Sequence, residues 1–306
     1  MTERHSQVPI SRWLIIAMFA ALYVTWSTTY LAIHYMVLTI PPYLSSGMRF
    51  LVAGGILYAI ARPRTQAPSL QNWRACFVTG ALIILLGNGG IVWAQQRIPS
   101  GLTALLIATM PLWIVILNWL MFRQGRPSLI EISGTLVGFT GIAMLIGTSR
   151  ITEGDAFYPL GMAVILASAL SWAIGSLYSR HGNLPPSPLL SAGMQMLAGG
   201  ALMLLVSLFT GEISGFSPAS VSLVSFLGWA YLVVFGSLVG FVCYLTLMRA
   251  CRPSRVATYA YVTPVGAVFL GWLIAGEAVT GQTLFAAAVI ITAVFIIITF
   301  GPKAHN

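Results

Sequence analysis

Charge is what this chain has least of. Only 7% of its 306 residues are Asp, Glu, Lys or Arg, against roughly 25% in a soluble domain. So few charges cannot cover a surface that faces water, which excludes a soluble globular protein. With 58% hydrophobic residues, the chain reads instead as an all-α polytopic membrane protein whose surroundings are the lipid bilayer. The net charge of +9 does not point to nucleic acid, because the basic residues sit between apolar runs, where membrane topology accounts for them. Cysteine is sparse too. Cys76, Cys243 and Cys251 form no CxxC and have no metal-ligand partners at a useful spacing, so they read as small buried hydrophobes and no metal is expected.

Catalytic signatures are missing as well. There is no P-loop, no Gly-rich dinucleotide motif, no HExxH and no plausible Ser-His-Asp set, so neither an enzyme nor a cofactor nor an ATP-driven pump is expected. No Asp or Glu falls in the middle of an apolar run. Pumps for cationic drugs need a buried carboxylate to hold the cation and exchange it for protons. Its absence favours zwitterions, anions or neutral solutes. Proton coupling would have to use His34 or Glu277.

What is present is a series of apolar runs. A spanning helix needs about 20 apolar residues, and ten runs qualify: 13–33, 43–61, 74–95, 99–121, 129–147, 159–179, 188–209, 224–246, 255–275 and 281–300. The first run lacks the short core and cleavage site of a signal peptide, so it reads as a span. With a cytoplasmic N-terminus, 12 Lys and Arg residues fall inside and two, Arg97 and Arg150, outside, Arg49 being within the membrane. Both termini are therefore expected in the cytoplasm.

The runs also repeat. Segment 26–55 overlays segment 172–200 at an offset of about 146, with Trp26 on Trp172, Pro42 on Pro188, Gly47 on Gly193, Met48 on Met194 and Arg49 on Gln195. Farther on, Gly87 matches Gly240 and Pro111 matches Pro264 at an offset of 153. Repeats fix architecture. Five spans per copy is an odd number, so the second copy enters from the opposite face. The expectation is ten transmembrane helices in two inverted five-helix repeats, 13–147 and 159–300. Halves of opposite orientation can exchange conformations and expose a central site to each side in turn, which points to a secondary transporter of a small-molecule substrate.

Individual side chains suggest where that site lies. Arg49 stands seven residues into its span, roughly 10 Å deep. An intramembrane Arg is costly and by default functional. It either attracts a substrate carboxylate or closes a gate, or it snorkels to headgroups or caps a neighbouring helix. Its counterpart, Gln195, makes the pair asymmetric in charge. Trp26, Thr29 and Tyr30 share one helical face, and Trp172 with Ser176 repeats it; the face lines a cavity or packs helices. Asn88, Tyr259 and Tyr261 are further polar groups at depth. Pro111 and Pro264 each remove a backbone donor at mid-span and are candidates for hinges or static kinks.

Several motifs occur in a telling order: Trp26-Ser-Thr-Thr-Tyr30, Pro41-Pro42, Met48-Arg49-Phe50, Pro99-Ser100-Gly101, Ala260-Tyr-Val-Thr-Pro264 and Ala275-Gly276-Glu277. Together they resemble the EamA-type carriers of the drug/metabolite transporter superfamily, in its YedA-like branch, from about residue 13 to 300. Ser27 stands where that family usually has Gly, and Gln124 where Glu is common. The resemblance implies two inverted five-helix repeats around a central cavity. It also implies a bacterial inner-membrane protein, monomeric or homodimeric, that exports small metabolites, amino acids foremost. Expected substrate contacts are Trp26, Thr29, Tyr30, Arg49, Asn88, Trp172, Ser176, Gln195 and Tyr261. Multidrug efflux, a lipid-linked flippase and a membrane scaffold or integral enzyme are the rival readings.

Overall fold

A bilayer offers the backbone no hydrogen-bond partners, so a spanning chain must satisfy its own amides. The computed structural model, which describes residues 11–122, 128–148, 157–251, 256 and 259–300, meets that demand with helices, and there is no strand among the described residues. In chain order they are α1 (Arg12–Met36), α2 (Pro42–Ala61), α3 (Leu70–Ala94), α4 (Ser100–Ile107), α5 (Met110–Phe122), α6 (Leu129–Thr148), α7 (Phe157–His181) and α8 (Pro188–Phe209). Then follow α9 (Leu223–Tyr231, Leu232–Phe241 and Val242–Ala250), α10 (Tyr259–Ala275) and α11 (Gly281–Phe300). Six of them (α1, α2, α3, α7, α8 and α9) are long and apolar enough to cross a membrane. Four shorter apolar helical stretches cover Ser100–Ile114, which runs through α4 into α5, Leu129–Gly141, Val262–Ala275 and Gly281–Ile296.

Local chemistry sets the helix starts. Pro42 and Pro188 stand at first helical positions, where a missing N–H has no consequence. Ser69 opens α3 with a capping box: its hydroxyl accepts from the Asn72 amide at 3.2 Å while Asn72 Oδ1 accepts from the Ser69 amide at 2.9 Å. The run read as one span at 99–121 is in fact two helices. α4 ends at Ile107 and α5 restarts at Met110, with Pro111 in its second position. Pro111 has no N–H to offer the Ile107 carbonyl, so the α-ladder stops there. Its counterpart, Pro264, lies inside α10, which continues from Tyr259 to Ala275.

Two features carry the internal repetition into three dimensions. In α3 the segment Gly80–Asn88, and in α9 the segment Leu232–Phe241, are wound as π-helix, with i→i+5 bonding. Wide turns of this kind are rare and concentrate at functional sites; these two fall at the offset that relates Gly87 to Gly240. The repeat-equivalent helices α2 and α8 also pack against each other. A Cβ on Gly47 would lie 3.1 Å from the Gly200 carbonyl oxygen, and one on Gly54 would lie 2.9 Å from that of Gly193. As the residue number rises along α2 it falls along α8, so the pair is antiparallel. Without side chains at the crossing the backbones approach as closely as small-residue seams in membranes allow.

Candidate functional site

Where α1, α2, α3, α4, α7, α9 and α10 converge with the start of α5, they enclose a cavity of about 80 Å³, room for several waters or a small solute. α1 contributes Trp26, Thr29 and Tyr30; α2 contributes Arg49 and Phe50; Asn88 comes from the π-helical part of α3 and Trp172 from α7. α9 adds Gly236 and Phe241, and α10 adds Tyr259, Thr263 and Pro264. Six residues singled out by sequence as substrate contacts thus meet around one space, although they come from four helices. Ser176 and Gln195 do not line it. Gln195 lies at the contact between α8 and α3, where its Nε2 donates to Ser191 Oγ of its own helix at 2.9 Å, so offset equivalence with Arg49 does not give it an equivalent environment. The Tyr261 side chain lies outside the described residues. Tyr259 and Thr263, one turn apart on the same helix, face the cavity instead. Their i, i+4 spacing is the signal that marks this face.

Among the described residues, Arg49 is the only charged one that lines the cavity. It is 3% exposed. Its Nε donates to Ser237 Oγ at 2.8 Å, and its guanidinium carbon lies 4.6 Å from the centre of the Phe50 ring. Among the described residues no carboxylate lines the cavity, and Nη1 has no hydrogen-bond partner. An uncompensated buried charge costs several kcal/mol, so this geometry asks for an anion.

The same shortage recurs around the cavity. Asn88 Oδ1, Trp172 Nε1 and Thr263 Oγ1 are also buried without partners. Each such atom costs about 1–3 kcal/mol when left unpaired. With Arg49 Nη1 they make four unsatisfied polar atoms on the wall of one cavity, three able to donate and two, Asn88 Oδ1 and the Thr263 hydroxyl, able to accept. The Thr29 hydroxyl is not among them, because it donates to the Thr25 and Trp26 carbonyls of its own helix at 2.9 and 2.8 Å. It presents a methyl group.

The remaining wall is aromatic. The Trp26 ring stands perpendicular to Tyr259 at 4.7 Å between centroids and lies 5.2 Å from Tyr244. Edge contacts of this kind favour a fixed orientation of the rings. A Cβ on Gly240, in the π-helical part of α9, would fall 2.6 Å from Trp26 Nε1, and one on Gly87 would fall 3.2 Å from Trp172 Cε3. Each of the two indoles is therefore seated against a glycine of the other half.

At one end of the bundle two carboxylates tie the halves together. Glu277, which follows α10, accepts from the Ser100 and Gly101 amides at 2.7 and 3.0 Å. Glu212, which follows α8, accepts from the Leu44 and Tyr43 amides at 2.8 and 3.4 Å. Both sit on helix N-termini, where free N–H groups and the helix dipole favour negative charge. Neither Glu277 nor His34 lines the cavity. Among the described residues no group of three His, Cys, Asp or Glu is placed to hold a metal ion.

Comparison with known proteins places this geometry. The model of the EamA-like transporter family matches residues 11–147 and, a second time, residues 159–299. The uncharacterized inner membrane transporter YedA of Escherichia coli K12 is 34% identical over 92% of this chain and 89% of its own length. Protein PecM of Dickeya dadantii is 28% identical over 89% of this chain and 88% of its own. A solved crystal structure with 21% identity superposes at a TM-score of 0.64, covering 94% of this chain and 96% of the other; at that identity the likeness concerns the fold alone.

Proposed function

The chain belongs to the EamA-like transporter family, and from that premise we propose a secondary carrier of small carboxylate-bearing metabolites, amino acids foremost, working by alternating access. The family and its relatives make it a membrane transporter. The finer reading adds ten spans in two inverted five-helix repeats, export from a bacterial cytoplasm across the inner membrane, and both termini inside. The antiparallel α2–α8 seam and the doubled family match support the inversion.

One observation carries the substrate class: among the described residues, Arg49 Nη1 is buried and unpartnered on a cavity without an acidic wall. A carboxylate entering the cavity supplies the missing anion and accepts a charge-assisted bond. Trp172 Nε1 and Thr263 Oγ1 offer further donors, and the Trp26–Tyr259 surface receives the apolar remainder. Release follows when the halves exchange conformations and water takes the donors back. A lipophilic cation finds no counter-charge here and meets a guanidinium instead, which disfavours multidrug efflux.

The test is counterflow in proteoliposomes. Arg49→Ala inserts and folds but loses about 10–100-fold in apparent affinity for amino acids, the worth of a hydrogen bond to a charged group. Equal uptake by Arg49→Ala and parent sinks the carboxylate role.

A further inference from the structure

On the outside of the bundle, α3 and α8 part to leave a groove of about 680 Å³, within the size range of pockets that hold a drug-sized ligand. Its walls are apolar: Phe77 and Val78 on α3, Leu202 and Leu205 on α8, with the small Ala198 and Ala201 along its length. The two helices touch beside it, where a Cβ on Gly80 would lie 2.6 Å from the Gln195 carbonyl oxygen. One lip carries Trp73 and the exposed Arg74.

That lip is basic and, among the described residues, has no acidic counterweight. Arg62 and Arg64 follow α2 in a 3-10 turn at the same corner, where Ala61 packs in one cluster with Cys76. Among the described residues their guanidinium groups reach backbone carbonyls, Arg62 Nη1 that of Thr65 and Arg64 Nη1 that of Ile60. The described acidic residues are engaged elsewhere: Glu131 with Ser128, Glu212 with Leu44 and Glu277 with Ser100. An apolar slot that ends in an indole and unneutralised guanidinium groups matches a lipid with an acyl chain and an anionic headgroup. Basic pockets between spanning helices on the cytoplasmic side hold such headgroups, and Trp settles at the headgroup level. The corresponding position in the second half, at the 153-residue offset, is Leu227 rather than Arg, so the charge complementarity belongs to this groove and not to its counterpart.

We propose that the α3–α8 groove is a site for one anionic phospholipid, its acyl chain between Phe77 and Leu205 and its phosphate at Arg74. This does not depend on the transport reading, because lipid retention is measured without transport.

The experiment is native mass spectrometry of the full chain in detergent, titrated with phosphatidylglycerol or phosphatidylethanolamine. The protein retains one phosphatidylglycerol in preference to phosphatidylethanolamine. Arg74→Gln weakens that retention about fivefold, and Ala201→Phe, which fills the slot, abolishes it. Both variants keep the parent's elution profile, since both positions face outward. Equal retention of the two lipids by the parent overturns the proposal. So does undiminished phosphatidylglycerol binding by Arg74→Gln or by Ala201→Phe.

Discussion

Trp26 and Trp172 hold equivalent positions 146 residues apart, and their rings meet edge-on with centroids 6.3 Å apart. Equivalent residues that touch must lie next to the relation that makes them equivalent. The cavity is therefore built on the seam between the halves, where a relative movement of the halves changes its walls first. Glycine on a π-helical segment of the opposite half seats each indole, so the two wide turns and the two rings form one interlocked centre.

Gly240→Ala is expected to disturb that centre more than Gly87→Ala. The new methyl meets Trp26 Nε1 at 2.6 Å in the first case and Trp172 Cε3 at 3.2 Å in the second. Overpacking of this order costs about 1–3 kcal/mol. Initial transport rates and melting temperatures of both variants decide the matter, and equal effects would show that seating Trp26 is not critical.

Ser237 holds the Arg49 guanidinium by a single 2.8 Å bond from Nε. Ser237→Ala leaves a charged donor without its partner, a loss of about 1.5–3 kcal/mol. The expected result is a raised KM for carboxylate substrates with a smaller change for neutral analogues. A uniform loss across both substrate classes would show a packing effect rather than misplacement of the charge.

Glu277→Gln keeps the shape of the cap on α4 and removes its charge. The melting temperature in detergent should fall by the equivalent of about 0.5–2 kcal/mol, as for a carboxylate lost from a helix N-terminus. Transport at a permissive temperature should persist. Transport abolished with an unchanged melting temperature would instead give Glu277 a part in coupling.

The connection 65–69 after α2 and the connection 216–222 before α9 are equivalent in the two halves. In the proposed inverted arrangement they lie on opposite sides of the membrane. In a chain cleared of Cys76, Cys243 and Cys251, an impermeant thiol reagent should label Ser220→Cys in intact cells and Gln66→Cys only after permeabilisation. Labelling of both from one side would remove the inverted arrangement.

Much of this was legible in the chain itself. Fewer charges than any water-facing surface needs pointed to the bilayer, and the apolar runs pointed to an all-helical chain, though not to where each helix breaks. The offsets of 146 and 153 exposed the duplication because Trp, Pro and Gly are rare enough to mark a register. Arg49, Trp26 and Trp172 stood out for the same reason. Tertiary structure alone decided that Arg49 meets Ser237 rather than a headgroup, that Gln195 closes on Ser191, and that Thr263 joins the site. These outcomes depend on which helix lies opposite, and periodicity reports a face without naming its neighbour. The π turns and the break before Pro111 likewise escape composition, since the way a backbone winds depends on which partners its freed carbonyls find in the packed bundle.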